Sequence, residues 1–181
     1  MKKIVILGGF GFLGKNLQNV FQNSEYQVQC ISRRNGFDLH EKTKIKNFLE
    51  DTNPDYIINC VAHTGSLEYV NKHNADIITD NLLMGINFWE ILKELNYKGV
   101  VINPISNCTY PGSADIQSEN EWFNGNVHPS IISYGTAKKT LFMSIKLLCN
   151  FNHERVFEQR KIITDGNGIA VFILCNRLRA G

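Results

Sequence analysis

The chain alternates between short apolar runs and longer segments in which apolar residues recur at helical spacing. A short apolar run bounded by turn residues is typical of a buried strand, whereas recurrence every three to four residues is typical of a helix. The runs that predict strands are residues 2–7, 26–32, 55–62 and 99–106. The segments that predict helices are residues 15–23, 41–50, 76–95 and 130–149.

This alternation of elements predicts the fold class. Strands separated by helices form a parallel sheet covered on both faces, because each crossover is right-handed and returns its helix to the sheet. We therefore predict an α/β protein with a doubly wound parallel sheet over residues 1–151. Residues 152–181 form a divergent tail that is polar at first and then contains one strand-like run, residues 168–175.

Composition and charge exclude several classes of protein. A chain of 181 residues that is 43% hydrophobic and 20% charged fits one globular domain and neither a disordered nor a fibrous protein. A net charge of +2 without a long basic cluster argues against a nucleic-acid partner. Five widely spaced cysteines with no C-x-x-C pair predict no metal site and favour a reducing compartment. No segment approaches the roughly 20 apolar residues of a membrane span, so we expect no membrane association and a cytoplasmic location.

A glycine-rich loop follows the first predicted strand and precedes the first predicted helix. In "GGFGFLG", Gly8, Gly11 and Gly14 are each three residues apart. A dinucleotide site needs such glycines for a tight turn, for approach of the backbone to the pyrophosphate and for close packing of the helix. A flexible turn is the alternative, but the strand-loop-helix context favours nucleotide binding.

The end of the second predicted strand bears on the choice of dinucleotide. An acidic residue there would bind the adenosine ribose of NAD, whereas arginine suits the 2′-phosphate of NADP. The sequence is "CISRRNG", with Arg33 and Arg34 and no carboxylate. NADP(H) is therefore favoured over NAD(H). The alternative is that both arginines are solvated turn residues.

Tyr134 precedes Lys138 by four residues in "SYGTAKK", and this spacing places both on one face of a helix. Together with the glycine loop, the stretches "GFDLHE", "NCVAHTG", "NLLMGIN", "SNCTYPG" and "YGTAK" make the chain resemble the extended short-chain dehydrogenase/reductase family. The resemblance is to its NAD-dependent epimerase/dehydratase branch, which acts on nucleotide sugars. The "SNCTYPG" loop is similar to that of the GDP-L-fucose synthase group, and the resemblance covers about the first 150 residues.

The resemblance implies a Rossmann-type domain and a catalytic set of Ser106, Tyr134 and Lys138. Tyr134 would exchange a proton with the sugar C4 oxygen, Ser106 would bind that oxygen, and Lys138 would hold the nicotinamide ribose. An unperturbed tyrosine has a pKa of about 10. We expect the ammonium of Lys138 and the oxidised nicotinamide to lower the pKa of Tyr134. Taken singly, these three side chains would be ordinary turn and helix residues.

Cys108 is the fourth catalytic candidate. The matching cysteine of the GDP-L-fucose synthase group moves protons at C3 and C5 together with a histidine, and the sequence does not identify that histidine. The alternative is that Cys108 is a small buried hydrophobic side chain.

The resemblance also implies a cofactor site and partners. Asp38 is similar to an adenine-contacting aspartate after the family's third strand, and the stretch from Asn59 resembles its fourth-strand loop. We expect a nucleotide sugar, GDP-linked or with another base, as substrate, and a homodimer through the long helices. The predicted cofactor contacts are Gly8, Gly11, Phe12, Leu13, Gly14, Arg33, Arg34, Asp38, Leu39, Ala62, Tyr134 and Lys138.

Family members continue beyond this region with a substrate-binding domain, whereas this chain ends at Gly181. We therefore expect most of that domain to be missing and the enzyme to be inactive if substrate positioning depends on it. Two alternatives to an active epimerase or reductase follow. One is a catalytically silent nucleotide-binding or interaction module, and the other is an unstable fragment with exposed apolar surface.

Overall fold

A computed structural model of the chain describes residues 1–113, 122–151, 155–163 and 170–178. Its main sheet has four parallel strands in the order β2-β1-β3-β4. The strands are β1 (Lys3–Leu7), β2 (Gln27–Ile31), β3 (Tyr56–Asn59) and β4 (Val100–Ile102). Leu7 at the end of β1 pairs with Ile31 on one side and with Asn59 on the other. The predicted α/β class with a parallel sheet is confirmed.

The helices follow the strands in the predicted alternation. They are α1 (Phe12–Phe21), α2 (Lys42–Thr52), α3 (Leu67–Lys72), α4 (Asn74–Glu94) and α5 (Ile132–Phe151). The short helix α3 was not predicted, because six residues are too few to display a helical period. Its available signal was Ser66, whose hydroxyl accepts a hydrogen bond from the Tyr69 amide as an N-cap. None of the described helices is both long and apolar enough to cross a lipid bilayer.

The sheet is covered on both faces. On one face the buried strand residues Val5, Leu7 and Ile57 pack in a cluster with Ile45 of α2 and Phe88 of α4. Side chains of successive strand residues point to opposite faces, so a second cluster forms on the other side. That cluster contains Ile4, Ile6 and Ile58, with Leu17 and Phe21 of α1 packed against it. The apolar strand runs of the sequence therefore reflect burial from both sides.

The tail contains two strands instead of the single predicted one. Strand β5 (Arg155–Ile163) pairs antiparallel with β6 (Ala170–Leu178) in a separate two-stranded sheet. Strand β6 contains most of the predicted run, whereas β5 was missed because its interior is polar and charged. The signal available for β5 was the composition of residues 165–168, because aspartate, asparagine and glycine between two strand-length segments are typical of a hairpin.

Two positions relative to the strands differ from the expectation. Asp38 was expected after a third strand, but it lies between β2 and α2, in a segment that forms no strand. A short 3-10 turn, Arg33–Asn35, and a left-handed Gly36 (φ 82°) reverse the chain there, so no extended strand forms. Asn59 accordingly ends the third strand of the sheet and not the fourth.

Candidate active site

A cavity of about 270 Å³ opens at the carboxyl ends of β1, β2 and β3. The chain passes from β1 to β2 on one side and then from β2 to β3 on the other side of β1, so this is the topological switch point where open α/β sheets bind ligands. Seven predicted cofactor residues line this cavity: Gly8, Gly11, Arg33, Arg34, Asp38, Leu39 and Ala62.

The glycine loop has the tight geometry that its spacing predicted. Gly8 adopts a positive φ of 72°, which residues with a Cβ rarely adopt. A Cβ on Gly14 would lie 2.5 Å from the Gly8 carbonyl oxygen and 2.5 Å from the Gly9 Cα. The first turn of α1 therefore packs directly against the loop backbone, as a close dinucleotide cradle requires.

The start of α1 supplies donors for an anion. Gly11 is the N-cap, and the first amide that bonds back to it is that of Lys15. The amides of Phe12, Leu13 and Gly14 precede that bond, so they have no acceptor within the helix. The first turn carries no acidic residue, and the positive end of the helix dipole therefore favours a phosphate.

Arg33 and Arg34 lie on the cavity wall at the end of β2. The hydroxyl of Ser32 accepts a hydrogen bond from the Arg34 amide, which fixes the short 3-10 turn that carries both arginines. Within the described residues neither guanidinium forms an ion pair with a carboxylate, so both remain available to a phosphate.

Asp38 belongs to a chain of acidic and histidine side chains on the same wall. Its Oδ1 atom lies 2.7 Å from His40 Nδ1, and His40 Nε2 lies 3.7 Å from Asp80 Oδ1. Asp80 Oδ2 in turn lies 2.7 Å from His63 Nδ1. Burial alone would raise the pKa of Asp38, but hydrogen bonds and charge from His40, with the charge of Arg33, hold it below its usual value.

Sequence reasoning missed His40, His63 and Asp80 as cavity residues. Asp80 lies in the second turn of α4, whereas both histidines lie outside that helix, and no spacing rule connects the three residues. His63 lies within the "NCVAHTG" stretch, but nothing in that stretch indicated that its side chain would line the cavity. Within the described residues, no group of three or more histidine, cysteine or acidic side chains could hold a metal ion.

Tyr134 and Lys138 occupy one face of α5, as their spacing predicted. Lys138 Nζ lies 5.8 Å from the centre of the Tyr134 ring. The lysine is 7% exposed, and burial lowers its pKa to about 8, opposed in part by the nearby Cys60 thiol. Because Cys60 also lines the cavity, Lys138 lies next to the cavity wall.

The pKa of Tyr134 moves in the direction opposite to the expected one. Burial, with a smaller contribution from Cys108, raises the pKa of the phenol to about 12. The protein's own groups, Lys138 included, therefore do not produce the lowered pKa that was expected. The reason is desolvation, which disfavours the charged phenolate. A phenol with this pKa keeps its proton at neutral pH.

Ser106 and Cys108 lie in the loop that follows β4. Ser106 caps a short 3-10 turn, Asn107–Thr109, and its Oγ accepts a hydrogen bond of 3.2 Å from the Cys108 amide. Cys108 is partly buried, and its thiol lies 3.7 Å from Asn107 Oδ1. Among the hydrogen bonds of the described residues, no histidine contacts this thiol, so a partner for the proposed proton transfers stays unassigned.

The fold and this cavity define an α/β protein of the dinucleotide-binding class. The model of the NAD dependent epimerase/dehydratase family matches residues 4–152, and the chain belongs to that family. The predicted family membership is confirmed.

Known proteins that are similar to this chain have names that refer to GDP-linked sugars. The chain is 28% identical over 153 residues to the GDP-L-colitose synthase of Yersinia pseudotuberculosis, covering 84% of this chain and 48% of that protein. It is 27% identical over 146 residues to a probable GDP-L-fucose synthase of Drosophila melanogaster, covering 78% and 44%. The chain thus spans about half the length of these curated relatives.

A solved structure supports the fold assignment. The GDP-L-fucose synthetase of Naegleria fowleri, in a crystal structure bound to NADP, matches with a TM-score of 0.68 at 23% identity. The match covers 84% of this chain and 44% of that one. Similarity at this level of identity establishes the shared Rossmann-like architecture and no more.

Proposed function

We propose that this chain forms the cofactor-binding and catalytic part of an NADP(H)-dependent epimerase or reductase of GDP-linked keto sugars. The observation that carries the proposal is that Tyr134 and Lys138 share one face of α5, beside the loop that contains Ser106, with Lys138 near Cys60 of the dinucleotide-type cavity. The names of the GDP-sugar relatives support GDP as the nucleotide, and another base is the alternative.

The residues of the cavity fit a bound dinucleotide phosphate. The Gly8 and Gly14 cradle leaves no room for side chains between the loop and α1, and the free amides at the start of α1 suit the pyrophosphate. Arg33 and Arg34 would bind the 2′-phosphate, which favours NADP(H) over NAD(H). Leu39 and Ala62 would contact the adenosine, and Asp38 would accept a hydrogen bond from the adenine. When bound, the cofactor supplies the hydride for the sugar carbon.

In the proposed reduction, Tyr134 is the proton donor. As a hydride reaches the sugar C4 carbon, the carbonyl oxygen gains negative charge and takes the phenolic proton of Tyr134, which becomes a phenolate and later regains a proton from solvent. The Ser106 hydroxyl would hydrogen-bond the same oxygen. The Lys138 ammonium would stabilise the phenolate as it forms and hold the nicotinamide ribose.

Cys108 is proposed as the proton carrier for epimerisation at C3 and C5. Its place beside Ser106 and near Tyr134 supports the role, since the thiol contributes to the raised pKa of that tyrosine. Cys108→Ala should abolish exchange of the C3 and C5 hydrogens with deuterated water, while reduction at C4 continues. Undiminished exchange would assign Cys108 to packing alone.

The cofactor proposal is tested by thermal unfolding with NADPH and NADH, for the wild type and for Gly11→Asp. A ligand that binds only the folded state raises Tm, so NADPH should stabilise the wild type more than NADH does. The aspartate adds a negative charge beside the phosphates and should remove the effect. Absence of any stabilisation in the wild type would refute dinucleotide binding.

The reaction is tested by following NADPH oxidation with GDP-4-keto-6-deoxymannose and related keto sugars. Tyr134→Phe should lose turnover while its NADPH-dependent stabilisation remains. Equal turnover by both proteins would refute the role of Tyr134. Stabilisation by NADPH with no turnover for any sugar would instead favour a silent nucleotide-binding module.

We also propose a homodimer formed through the long helices α4 and α5. Leu83 and Ile86 on α4 are 43% and 48% exposed, and Ile132 at the start of α5 is 48% exposed. Apolar side chains of this size suit a protein interface better than solvent. Light scattering should show a dimer for the wild type and a monomer for Leu83→Glu/Ile86→Glu.

The free thiols Cys30, Cys60 and Cys108 support the proposed cytoplasmic location.

A further inference from the structure

A hydrogen-bonded relay leads from the indole of Trp122 to the backbone of Ser106. The indole Nε1–H donates to Thr109 Oγ1 over 2.6 Å, and Thr109 Oγ1 donates to the Ser106 carbonyl oxygen over 2.6 Å. The Thr109 amide donates to the same carbonyl at 3.1 Å. The carbonyl of Ser106 is therefore held by two donors from one residue.

The chemistry of the groups fixes the direction of this relay. An indole N–H can only donate, so the Thr109 hydroxyl must accept from it. That hydroxyl has a single hydrogen, and the Ser106 carbonyl is the acceptor that receives it. Thr109 is 0% exposed and Trp122 is 4% exposed, so water does not compete for either bond. In a buried relay of this kind, removing one member leaves an unpaired polar group.

Trp122 is itself anchored on α5, the helix that carries Tyr134 and Lys138. Its ring packs edge-to-face on Phe142 of that helix, with ring centres 4.4 Å apart. Lys139 Nζ lies 5.6 Å from the Trp122 ring and donates a hydrogen bond of 3.1 Å to the Gly125 carbonyl. The relay consequently joins the Ser106 loop to the helix of the proposed proton donor.

We propose that Thr109 and Trp122 are positioning residues that set the place of the Ser106 hydroxyl relative to Tyr134. Neither needs to contact the sugar or the cofactor, because both act through the Ser106 backbone. The Ser106 Oγ atom in turn accepts from the Cys108 amide, so a shift of Ser106 also changes that bond. The inference rests on the proposed function for its catalytic meaning and on these contacts for its geometry.

The geometry is tested without any substrate, by hydrogen exchange of the Cys108 amide in the ¹⁵N-labelled full chain. Thr109→Val removes the hydroxyl at nearly constant shape, and Trp122→Phe removes the indole N–H but keeps a ring. Both should accelerate exchange of the Cys108 amide about fivefold or more. Thr109→Ser keeps the hydroxyl and should restore the wild-type rate. The Ile57 amide in the sheet core reports global opening, and the acceleration at Cys108 should exceed any acceleration at Ile57.

A double-mutant cycle shows whether the effect passes through Ser106. In Ser106→Ala the Cys108 amide has lost its hydroxyl acceptor, so adding Thr109→Val should not accelerate its exchange further. The same non-additivity is expected for kcat, with the dissociation constant of NADPH unchanged throughout. Unchanged Cys108 exchange in both Thr109→Val and Trp122→Phe would overturn the proposal, and so would additive effects in the cycle.

The catalytic role of Ser106 and the positioning role of Thr109 and Trp122 are rejected by different results. If Ser106→Ala keeps full turnover, the catalytic role of Ser106 is wrong, while accelerated Cys108 exchange in Thr109→Val would still establish the positioning. If Ser106→Ala loses turnover and Thr109→Val neither loses turnover nor accelerates Cys108 exchange, the proposed function stands and the relay is rejected.

Discussion

A methyl group on Gly135 would lie 2.5 Å from the carbonyl oxygen of Cys108, a separation that real Cβ atoms essentially never show. The first turns of α5 therefore touch the backbone of the loop after β4. Since Tyr134 is the neighbour of Gly135 on the helix, this close approach brings the phenol to the loop that carries Ser106 and Cys108. The proposed catalytic geometry therefore requires a residue without a side chain at position 135.

Gly135→Ala should destabilise the protein although alanine normally favours a helix. An unhindered change would stabilise by about 0.5–1 kcal/mol, whereas the contact here is with rigid backbone, and crowding of this kind costs about 1–3 kcal/mol. Urea unfolding should show a net loss of stability, and turnover should fall with it. Thr140→Ala at an exposed position of the same helix is the control and should change stability by about 0.5 kcal/mol or less. A more stable Gly135→Ala protein would contradict the close contact.

Gly14→Ala should abolish stabilisation by NADPH. Its Cβ would lie 2.5 Å from backbone atoms of Gly8 and Gly9, so α1 must move away from the loop and take its free amides with it. Val20→Ala, at a position of α1 that is 72% exposed, is the control and should keep the NADPH-dependent rise in Tm. Thermal unfolding of both variants, with and without saturating NADPH, measures the NADPH-dependent change in Tm. An equal Tm increase in wild type and Gly14→Ala would contradict the cradle geometry.

The sequence predicted those elements whose apolar pattern is strong and local. Strands β1 and β3 are buried from both faces and stand out as unbroken apolar runs, and the 21 residues of α4 display several helical turns. Helix α3 and strand β5 were missed, because one is a single short segment and the other is polar. The placement of Asp38 after a third strand failed for a different reason, since a family pattern was applied to a segment that here forms only turns.

The residues of the candidate site likewise divide into those that the sequence predicted and those that it did not. The glycine loop and the pair Tyr134 and Lys138 were predictable, because each lies within one local element whose spacing fixes its geometry. The contact of Asp80 with His63 and that of Trp122 with Thr109 join side chains from different elements. No spacing rule identifies such pairs in a single sequence. The direction of the Tyr134 pKa shift also depends on burial, which the sequence does not give.

Replacing Arg33 and Arg34 together by alanine should change cofactor preference. A hydrogen bond to a charged group contributes roughly 1.5–3 kcal/mol, so loss of the 2′-phosphate contact should weaken NADPH binding roughly 10- to 150-fold. NADH has no 2′-phosphate, and its affinity should change little. Titration calorimetry with both cofactors gives the two dissociation constants and therefore their ratio.

The control for this double substitution is Lys98→Ala, which removes an exposed cation at the opposite edge of the sheet, just before β4. Lys98→Ala should leave both affinities unchanged. Equal weakening of NADPH and NADH binding by the arginine substitutions would mean that the arginines support the loop and do not read the 2′-phosphate.

Lys138 should make the stability of the protein depend on pH above about 8. Burial lowers its pKa from 10.5 to about 8 in the folded state. Between these values the unfolded chain binds more protons at this residue than the folded chain, so this contribution to the free energy of unfolding rises with pH. The destabilisation by the buried ammonium is complete below pH 8, at about 3 kcal/mol, and fades as pH approaches 10.5. Lys138→Met should therefore be more stable than wild type at pH 7.

The pH range of the Lys138 measurement follows from the other buried groups. Burial raises the pKa of Cys60 and of Tyr134 to about 12 each, so the folded state retains their protons after the unfolded chain has lost them. Those contributions to stability are lost as pH rises above about 9 and 10, and the charge of Lys138 itself affects the pKa of Cys60, so the comparison is made at pH 9 and below. Urea unfolding at pH 7 and 9 should show the advantage of Lys138→Met shrinking with pH, while Lys98→Met shows no such change. A constant difference between wild type and Lys138→Met would mean that Lys138 keeps an ordinary pKa in the folded protein.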